Sequence, residues 1–116
     1  MLKKQFRLKN KAAFAATYRV KHSFHRGGIT LFCGLKKKDD YPTRVGFVVS
    51  KKVHKRAVKR NRLKRLMREI YRIMQKNGEL GNSQQYLSLI FVGHEHALGK
   101  SFDEIKKSIK KLLEEV

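Results

Sequence analysis

The sequence predicts an α+β domain in which helices pack on one mixed β-sheet. Residues 29–35 and 44–50 place apolar side chains at every second position, on one face of a strand, and residues 86–92 form an almost unbroken apolar run. Near the C-terminus, apolar residues recur at spacings of three and four, which is typical of an amphipathic helix. The chain of 116 residues has no internal repeat, so we expect one two-layer domain over 1–116.

The N-terminal part predicts a basic segment followed by a short helix. Residues 1–9 are expected to form a mobile arm or an extended lead-in. Asn10 is a plausible N-cap for a helix that ends near Val20. Phe14 and Tyr18 lie four residues apart and therefore on one side of it. They are either core contacts or an exposed platform on which unpaired bases stack, and both interpretations stay open.

The strands follow this helix. Gly27 and Gly28 interrupt the chain before the first alternating stretch, and residues 22–27 allow a further short strand. The polar run 36–43 holds the only proline and predicts a hairpin loop, which would join the two alternating stretches as an antiparallel pair. Because residues 86–92 are apolar at consecutive positions, we expect both faces of that strand to be covered or the strand to be central.

A strongly basic stretch lies between the second and last strands. Residues 51–72 contain 11 Lys or Arg and one acid, Glu69, so their net charge of +10 is half of the chain's formal +20. Helical spacing places one set of residues on an apolar side, Leu63, Leu66, Met67, Ile70, Ile73 and Met74, and another on the opposite side, Asn61, Arg65, Arg68 and Arg72. Like charges without acids destabilise an isolated helix, so a polyanionic partner explains this face better than solvent does.

The last helix has the clearest local signals. Residues 76–84 are rich in Gly and Asn and end the basic helix. Ser101 and Glu104 form a capping-box pattern. The apolar stripe that follows consists of Phe102, Ile105, Ile109, Leu112, Leu113 and Val116. The expected order is therefore helix, strand, strand, helix, strand, helix.

Composition narrows the classes of protein. The single cysteine, Cys33, excludes an internal disulfide and is interpreted as a small buried hydrophobe in a reducing compartment. No segment has the apolar run of a secretory signal or the roughly 20 apolar residues of a membrane span, so we expect a cytoplasmic protein. A pI near 10.5 predicts attraction to nucleic acid or to an anionic surface.

No set of residues predicts catalysis by the protein itself. Six of the nine acids lie in a turn, at the start of the last helix or at the C-terminus, and no pair of carboxylates has a reason to converge. Two groups of potential metal ligands lack a convincing spacing: His94, Glu95 and His96, and His22, His25 and Cys33. The first group is interpreted as a solvated loop. We expect no catalytic residue and no metal ligand, and we expect Lys and Arg to neutralise phosphates.

The stretch 50–72, SKKVHKRAVKRNRLKRLMREIYR, resembles the signature of the protein subunit of bacterial ribonuclease P. The likeness rests on Arg60-Asn61-Arg62 after a Val-rich strand, and it extends to residues 6–18, the strand pattern and the terminal helix. It implies a ribosomal-protein-like fold of order α-β-β-(β)-α-β-α, with a four-stranded mixed sheet. It also implies a left-handed β-α-β crossover, against the general right-handed preference.

The resemblance implies the accessory subunit of a ribonucleoprotein endoribonuclease. In this family the holoenzyme hydrolyses a phosphodiester bond in precursor tRNA to release the 5′ leader, and the RNA subunit is the catalyst. The expected partners are ribonuclease P RNA and precursor tRNA, with no membrane and no obligate protein partner. Mg²⁺ is expected to be bound mainly by the RNA subunit.

The resemblance also implies two surfaces. The residues expected to bind the RNA subunit are Lys55, Arg56, Arg60, Asn61, Arg62, Lys64, Arg65 and Arg68. A cleft between the first helix and the sheet is expected to hold the leader, lined by Phe14, Tyr18 and Phe32 with Lys51 and Lys52 at its edge. This favours the platform interpretation of the aromatic pair.

The chain departs from the family pattern at two places. Gly93-His94-Glu95 stands where many members have a basic sequence, and Lys21-His22 occupies a turn where glycine is common.

The alternative function is a basic RNA-binding protein of ribosomal type with no role in catalysis. A membrane-active cationic protein would explain the charge alone.

Overall fold

The computed structural model describes residues 2–116, which form three α-helices and a four-stranded mixed sheet. In chain order the elements are α1 (Lys11–Arg19), β1 (His22–Arg26), β2 (Ile29–Cys33), β3 (Arg44–Val49), α2 (Ala57–Lys76), β4 (Ser88–Gly93) and α3 (Phe102–Glu115). The predicted α+β class and the additional strand near residues 22–27 are confirmed. The predicted N-caps of the first and last helices are confirmed: the side chains of Asn10 and Ser101 cap α1 and α3.

The strand order across the sheet is β1-β2-β4-β3. β1 and β2 form an antiparallel hairpin, and their connection is Gly27-Gly28 with φ of +57° and +82°. Two successive positive φ values are the requirement of a two-residue type I′ turn, which glycine meets without strain. β4 lies antiparallel to β2 and parallel to β3.

The predicted hairpin between β2 and β3 is wrong, because β4 lies between them. After β2 the chain does not turn back but continues to pair with the segment before β4. The amide of Leu87 donates to the carbonyl of Leu35 at 2.8 Å, and the amide of Lys37 donates to Gln85 at 2.8 Å. The apolar run of β4 requires cover on both faces, and the central position supplies it. The prediction that this strand is central is confirmed.

The main core lies between the sheet and the pair α2 and α3. Alternate residues of β2, β3 and β4 point into it, including Leu31, Val45, Leu89 and Phe91, all of which are buried. The intervening residues point to the opposite face, where α1 packs. The fold therefore has helices on both faces of the sheet, and α1 covers only part of its own face.

A β-α-β unit links the parallel strands β3 and β4 through α2. This connection places the basic helix over β4 and the edge strand β3. The unit is the crossover that the resemblance implies, and its left hand stays a prediction from that resemblance.

The basic N-terminal segment lies against the domain over its described residues. Leu2 and Leu8 are buried, and the amide of Leu8 donates to the carbonyl of Val45 at 2.9 Å. Arg7 forms a parallel bridge with the same valine. The segment thus covers part of the outer edge of β3, and Lys4–Phe6 within it form one 3₁₀-helical turn.

Lys21 ends α1 in the left-handed region, with φ of +59°. A side chain with a Cβ atom costs about 1–2 kcal/mol there, whereas glycine adopts the region freely. We expect Lys21→Gly to raise the free energy of unfolding by about 0.5–1 kcal/mol, after the larger entropy of glycine in the unfolded chain is deducted. Urea denaturation measures the difference. Lys21→Ala, which removes the charge but keeps Cβ, is the control, and an equal gain there would contradict the backbone explanation.

Candidate nucleic-acid interface

Helix α2 is anchored on one side and cationic on the other. Leu63, Met67, Ile70 and Met74 are at most 1% exposed, which confirms most of the predicted apolar side. Tyr71 is also buried, its hydroxyl accepts a hydrogen bond from Gln84, and burial raises its pKa to about 12. The buried side fixes the orientation in which the helix presents its charges.

Two of the predicted RNA-binding arginines make hydrogen bonds within the protein. The guanidinium of Arg60 donates to the carbonyls of His54 and Lys55 at 2.7 and 2.8 Å. That of Arg62 donates to the carbonyl of Lys100, on the loop before α3, at 3.3 Å. Arg60 therefore holds the loop between β3 and α2 in place, and Arg62 faces α3. Both retain further N–H donors for a phosphate.

The remaining predicted cations have no carboxylate partner. Within residues 2–116, salt bridges join only Arg26 to Glu115 and Arg72 to Glu69. Glu69, the single acid of α2, is thus paired, and the hydrogen bond from Arg72 lowers its pKa. The cations left without an acid on this surface are Lys51, Lys52, Lys55, Arg56, Lys64, Arg65 and Arg68.

The spacing predicted that Arg68 shares the outer side of α2 with Arg65, and this is wrong. Arg68 lines a small pocket at the edge of β3 together with Arg7, Phe14 and Phe47. Lys64 lies one turn earlier on the same side of the helix. The predicted cationic face is consequently divided: Asn61 and Arg65 are exposed, whereas Lys64 and Arg68 are half-buried and Arg68 faces the edge of β3.

The predicted aromatic residues come together between α1 and the sheet. Phe14 packs on the backbone of Gly46, where an added Cβ would lie 2.5 Å from the ring. Tyr18 and Phe32 meet edge to face with ring centres 4.9 Å apart. All three aromatic side chains are half-buried, and burial raises the pKa of Tyr18. They hold α1 on the sheet and still present ring surface to solvent, so each of the two open interpretations describes part of their environment.

The face of the sheet that α1 leaves uncovered continues from these aromatics, and we call this open strip the groove. Its floor follows one register row, in which Val48 is paired with Val92 and Val92 with Thr30. These three residues are half-buried, in contrast to the buried residues of the core face. The sequence analysis did not assign them. These positions alternate with the core residues of each strand, so the sequence indicates that they lie on the opposite face. Only the strand order shows that the three are neighbours on that face.

Lys51 and Lys52 lie at one border of this groove. They are exposed in the turn that follows β3, where the amide of Lys52 donates to the hydroxyl of Ser50 at 3.1 Å. The turn directs the chain away from the sheet towards α2. The two lysines therefore stand between the open sheet face and the basic helix.

His94 is not part of a solvated loop, and that part of the prediction is wrong. Its Nε2 atom lies 2.8 Å from Thr30 Oγ1, and the same hydroxyl oxygen lies 2.9 Å from Nδ1 of His25. Burial and the neighbouring His25 lower the pKa of His94. Glu95 and His96 are exposed, as expected for a surface turn. Among residues 2–116 no three His, Cys, Asp or Glu side chains are grouped as metal ligands.

Sequence comparison connects this arrangement with known proteins. A profile of the family described as Ribonuclease P matches residues 2–116. The chain belongs to the ribonuclease P protein family. A ribonuclease P protein component from Clostridium kluyveri is 35% identical, over 93% of this chain and 91% of the relative. A second, from Clostridioides difficile, is 37% identical over 91% and 87%.

Solved structures of the family share the fold. The Staphylococcus aureus RNase P protein at 2.0 Å superposes with a TM-score of 0.77 at 25% identity, covering 96% of this chain and 94% of that one. The RNase P protein from Thermotoga maritima, at 21% identity, has the same fold with a TM-score of 0.76. Family membership and the mixed α+β fold predicted from the sequence are confirmed. No helix within residues 2–116 is long and apolar enough to span a membrane.

Proposed function

We propose that this chain binds ribonuclease P RNA through α2 and its preceding loop, and the single-stranded 5′ leader of precursor tRNA in the sheet-face groove. The observation that carries the proposal is the division of the surface into two adjoining parts. One part presents unpaired cations on an anchored helix, and the other combines half-buried aromatic rings with an apolar floor. Backbone phosphates suit the first part and unpaired bases suit the second.

The charge distribution supports a large electrostatic contribution to RNA binding. A formal charge of +20 attracts a polyanion, and each phosphate neutralised by Lys or Arg releases condensed counterions. For roughly six to ten phosphate contacts, affinity is expected to fall by about 10³ to 10⁵ between 50 and 200 mM salt. The guanidinium groups of Arg65 and Arg56 have no salt bridge within residues 2–116 and are suited to bidentate contacts with phosphate oxygens.

The chain's part in tRNA 5′ maturation is to position RNA. Hydrolysis of the phosphodiester bond that releases the leader takes place on the RNA subunit, with Mg²⁺ bound mainly there. The protein's own residues bind and orient: α2 holds the catalytic RNA, and the groove beside it holds the leader of the same substrate. We propose that this work takes place in the cytoplasm.

Reconstitution with ribonuclease P RNA tests the overall assignment. The protein is expected to increase cleavage of precursor tRNA at low Mg²⁺, because it contributes binding energy for substrate and for metal-bound RNA. No gain in cleavage would contradict the assignment and would favour a basic RNA-binding protein of ribosomal type. Heated and refolded RNA without protein is the baseline.

Phe14→Ala tests the leader groove. Stacking on an aromatic side chain contributes about 1–3 kcal/mol per base, so the variant holoenzyme is expected to bind precursor tRNA about 10-fold more weakly. Affinity for mature tRNA, which lacks a leader, should stay unchanged. Thermal unfolding of the free protein controls for the loss of the contact between Phe14 and Gly46. Equal losses for the two tRNAs would assign Phe14 to the core alone.

A further inference from the structure

Three side chains from three strands meet on the open face of the sheet. His25 belongs to β1, Thr30 to β2, and His94 directly follows β4. Both imidazole nitrogens that face inward approach the same oxygen, Thr30 Oγ1, at 2.9 and 2.8 Å. The two rings are 5.6 Å apart between centres. Because hydrogen-bonded strands hold all three residues, the cluster is a preformed feature of the sheet.

The shared hydroxyl limits the protonation states of the pair. Thr30 has one proton to donate, so it donates to one imidazole nitrogen and accepts from the N–H of the other. One added proton creates an imidazolium that is compatible with this pattern. A second would place two cationic rings side by side with only one oxygen between their donors. The cluster is therefore suited to carry a single proton.

The cluster stands opposite the lysines of the groove. His25, Thr30, Val92 and Val48 are successive partners across β1, β2, β4 and β3, so the row from histidine to valine spans about 14 Å at about 4.8 Å per strand. Lys51 and Lys52 follow the far end of this row. The apolar floor thus has a lysine border on one side and a histidine border on the other.

Among residues 2–116, no neighbouring carboxylate is placed to compensate a positive charge on His25 or His94. Arg26 is bound to Glu115, Lys100 donates to the carbonyl of Gly27, and the adjacent turn adds exposed Glu95 and His96. The causes that lower the pKa of His94 are burial and His25, and no carboxylate is among them. An anion that stabilises an imidazolium here must come from a ligand.

We propose that His25, Thr30 and His94 form the second wall of the groove and bind a backbone phosphate of single-stranded RNA while one imidazole is protonated. This inference rests on the proposed leader groove. A bound phosphate favours the imidazolium, so binding takes up a proton. Affinity therefore rises as the pH falls towards the pKa of the free cluster, where burial and His25 hold the pKa of His94 below its ordinary value.

Equilibrium binding at two pH values tests the inference. The holoenzyme, assembled with ribonuclease P RNA, is titrated with cleavage-resistant precursor tRNA and with mature tRNA at pH 8 and pH 6 at constant salt. We expect precursor affinity relative to mature tRNA to rise by about fivefold at pH 6, as one charge-assisted hydrogen bond allows. The rise should vanish in the double variant His25→Gln with His94→Gln, since glutamine can bond to Thr30 but does not titrate, whereas one remaining histidine could still carry the proton. His96→Gln, in the adjacent turn, should behave like the wild type.

The outcomes separate the inference from the function on which it rests. A pH effect that persists in the double variant, or that is equal for mature tRNA, would overturn the inference alone. A wild-type holoenzyme without any preference for precursor would contradict the leader groove itself. If a variant unfolds, NMR of the wild-type protein decides. Single-stranded RNA should raise the pKa of His25 or His94 but not that of His96, and no rise would reject the phosphate contact.

Discussion

Lys64→Ala combined with Arg65→Ala is expected to weaken binding of ribonuclease P RNA about 100-fold at 0.1 M salt. Hydrogen bonds to charged groups contribute about 1.5–3 kcal/mol each, and neither side chain has an internal partner that its loss would disturb. The slope of log affinity against log salt should become shallower by about 1 to 2. Filter binding or fluorescence titration over several salt concentrations measures both quantities.

A charge-matched variant on α3 is the control. Lys107→Ala with Lys111→Ala removes the same charge, but these lysines lie four residues from Asp103 and Glu115 on the same helix. Affinity should fall less than about threefold there, since only the general field of the protein changes. An equal loss in both variants would mean that α2 acts through net charge and not through contact. Arg60 and Arg62 suit this test less well, because their guanidinium groups also bind backbone carbonyls.

Gly93→Val is expected to destabilise the protein by about 3 kcal/mol, which is the upper part of the range for overpacking a core. Gly93 is buried at the end of β4, where α2 crosses the sheet. A Cβ atom there would lie 2.6 Å from Leu63 Cδ2 and 3.1 Å from Val49 Cγ2. Leu63 is 1% exposed, so it can move only against other buried side chains of the core. Chemical denaturation gives the free energy, and weaker binding of ribonuclease P RNA should accompany it because α2 is displaced.

A double-mutant cycle with Leu63→Ala identifies the cause. Leu63→Ala alone should cost about 2–5 kcal/mol through the cavity that it leaves. In the Gly93→Val background the valine fills part of that cavity. The loss of unfolding free energy in the double variant should therefore be smaller than the sum of the two single losses by at least about 1 kcal/mol. Simple additivity would show that the valine strains β4 itself and that contact with α2 is not the reason.

Local patterns in the sequence predicted most of the elements and failed at one pairing. The caps of α1 and α3, the apolar side of α2 and the buried Cys33 were predictable because each depends on residues within one or two turns. The hairpin of β2 and β3 was wrong because nearness in sequence does not determine which strands are neighbours. The continued pairing of residues 34–37 with 85–88 is a contact between segments some 50 positions apart.

The predicted site residues show the same division. Helical spacing placed Arg65 outward and Met67 inward, and the structure agrees. Spacing could not show that Arg68 turns towards the edge of β3, because the N-terminal segment and α1 create that pocket. It also paired His94 with the wrong neighbours: the side chain that meets it is His25, 69 positions earlier, across a threonine of a third strand.

By itself the sequence determined the charge, the anchored and cationic sides of α2, the helix caps and the family, since each is a property of composition or of a short period along the chain. Only the tertiary structure decided the strand order, the open face with its groove, and the meeting of His25 with His94. The physical reason is that an α-helix or a capped turn is closed by local hydrogen bonds. The backbone hydrogen bonds of a sheet join segments that are distant in the sequence. Several pairings of the strands are therefore possible, and packing of the whole core selects one.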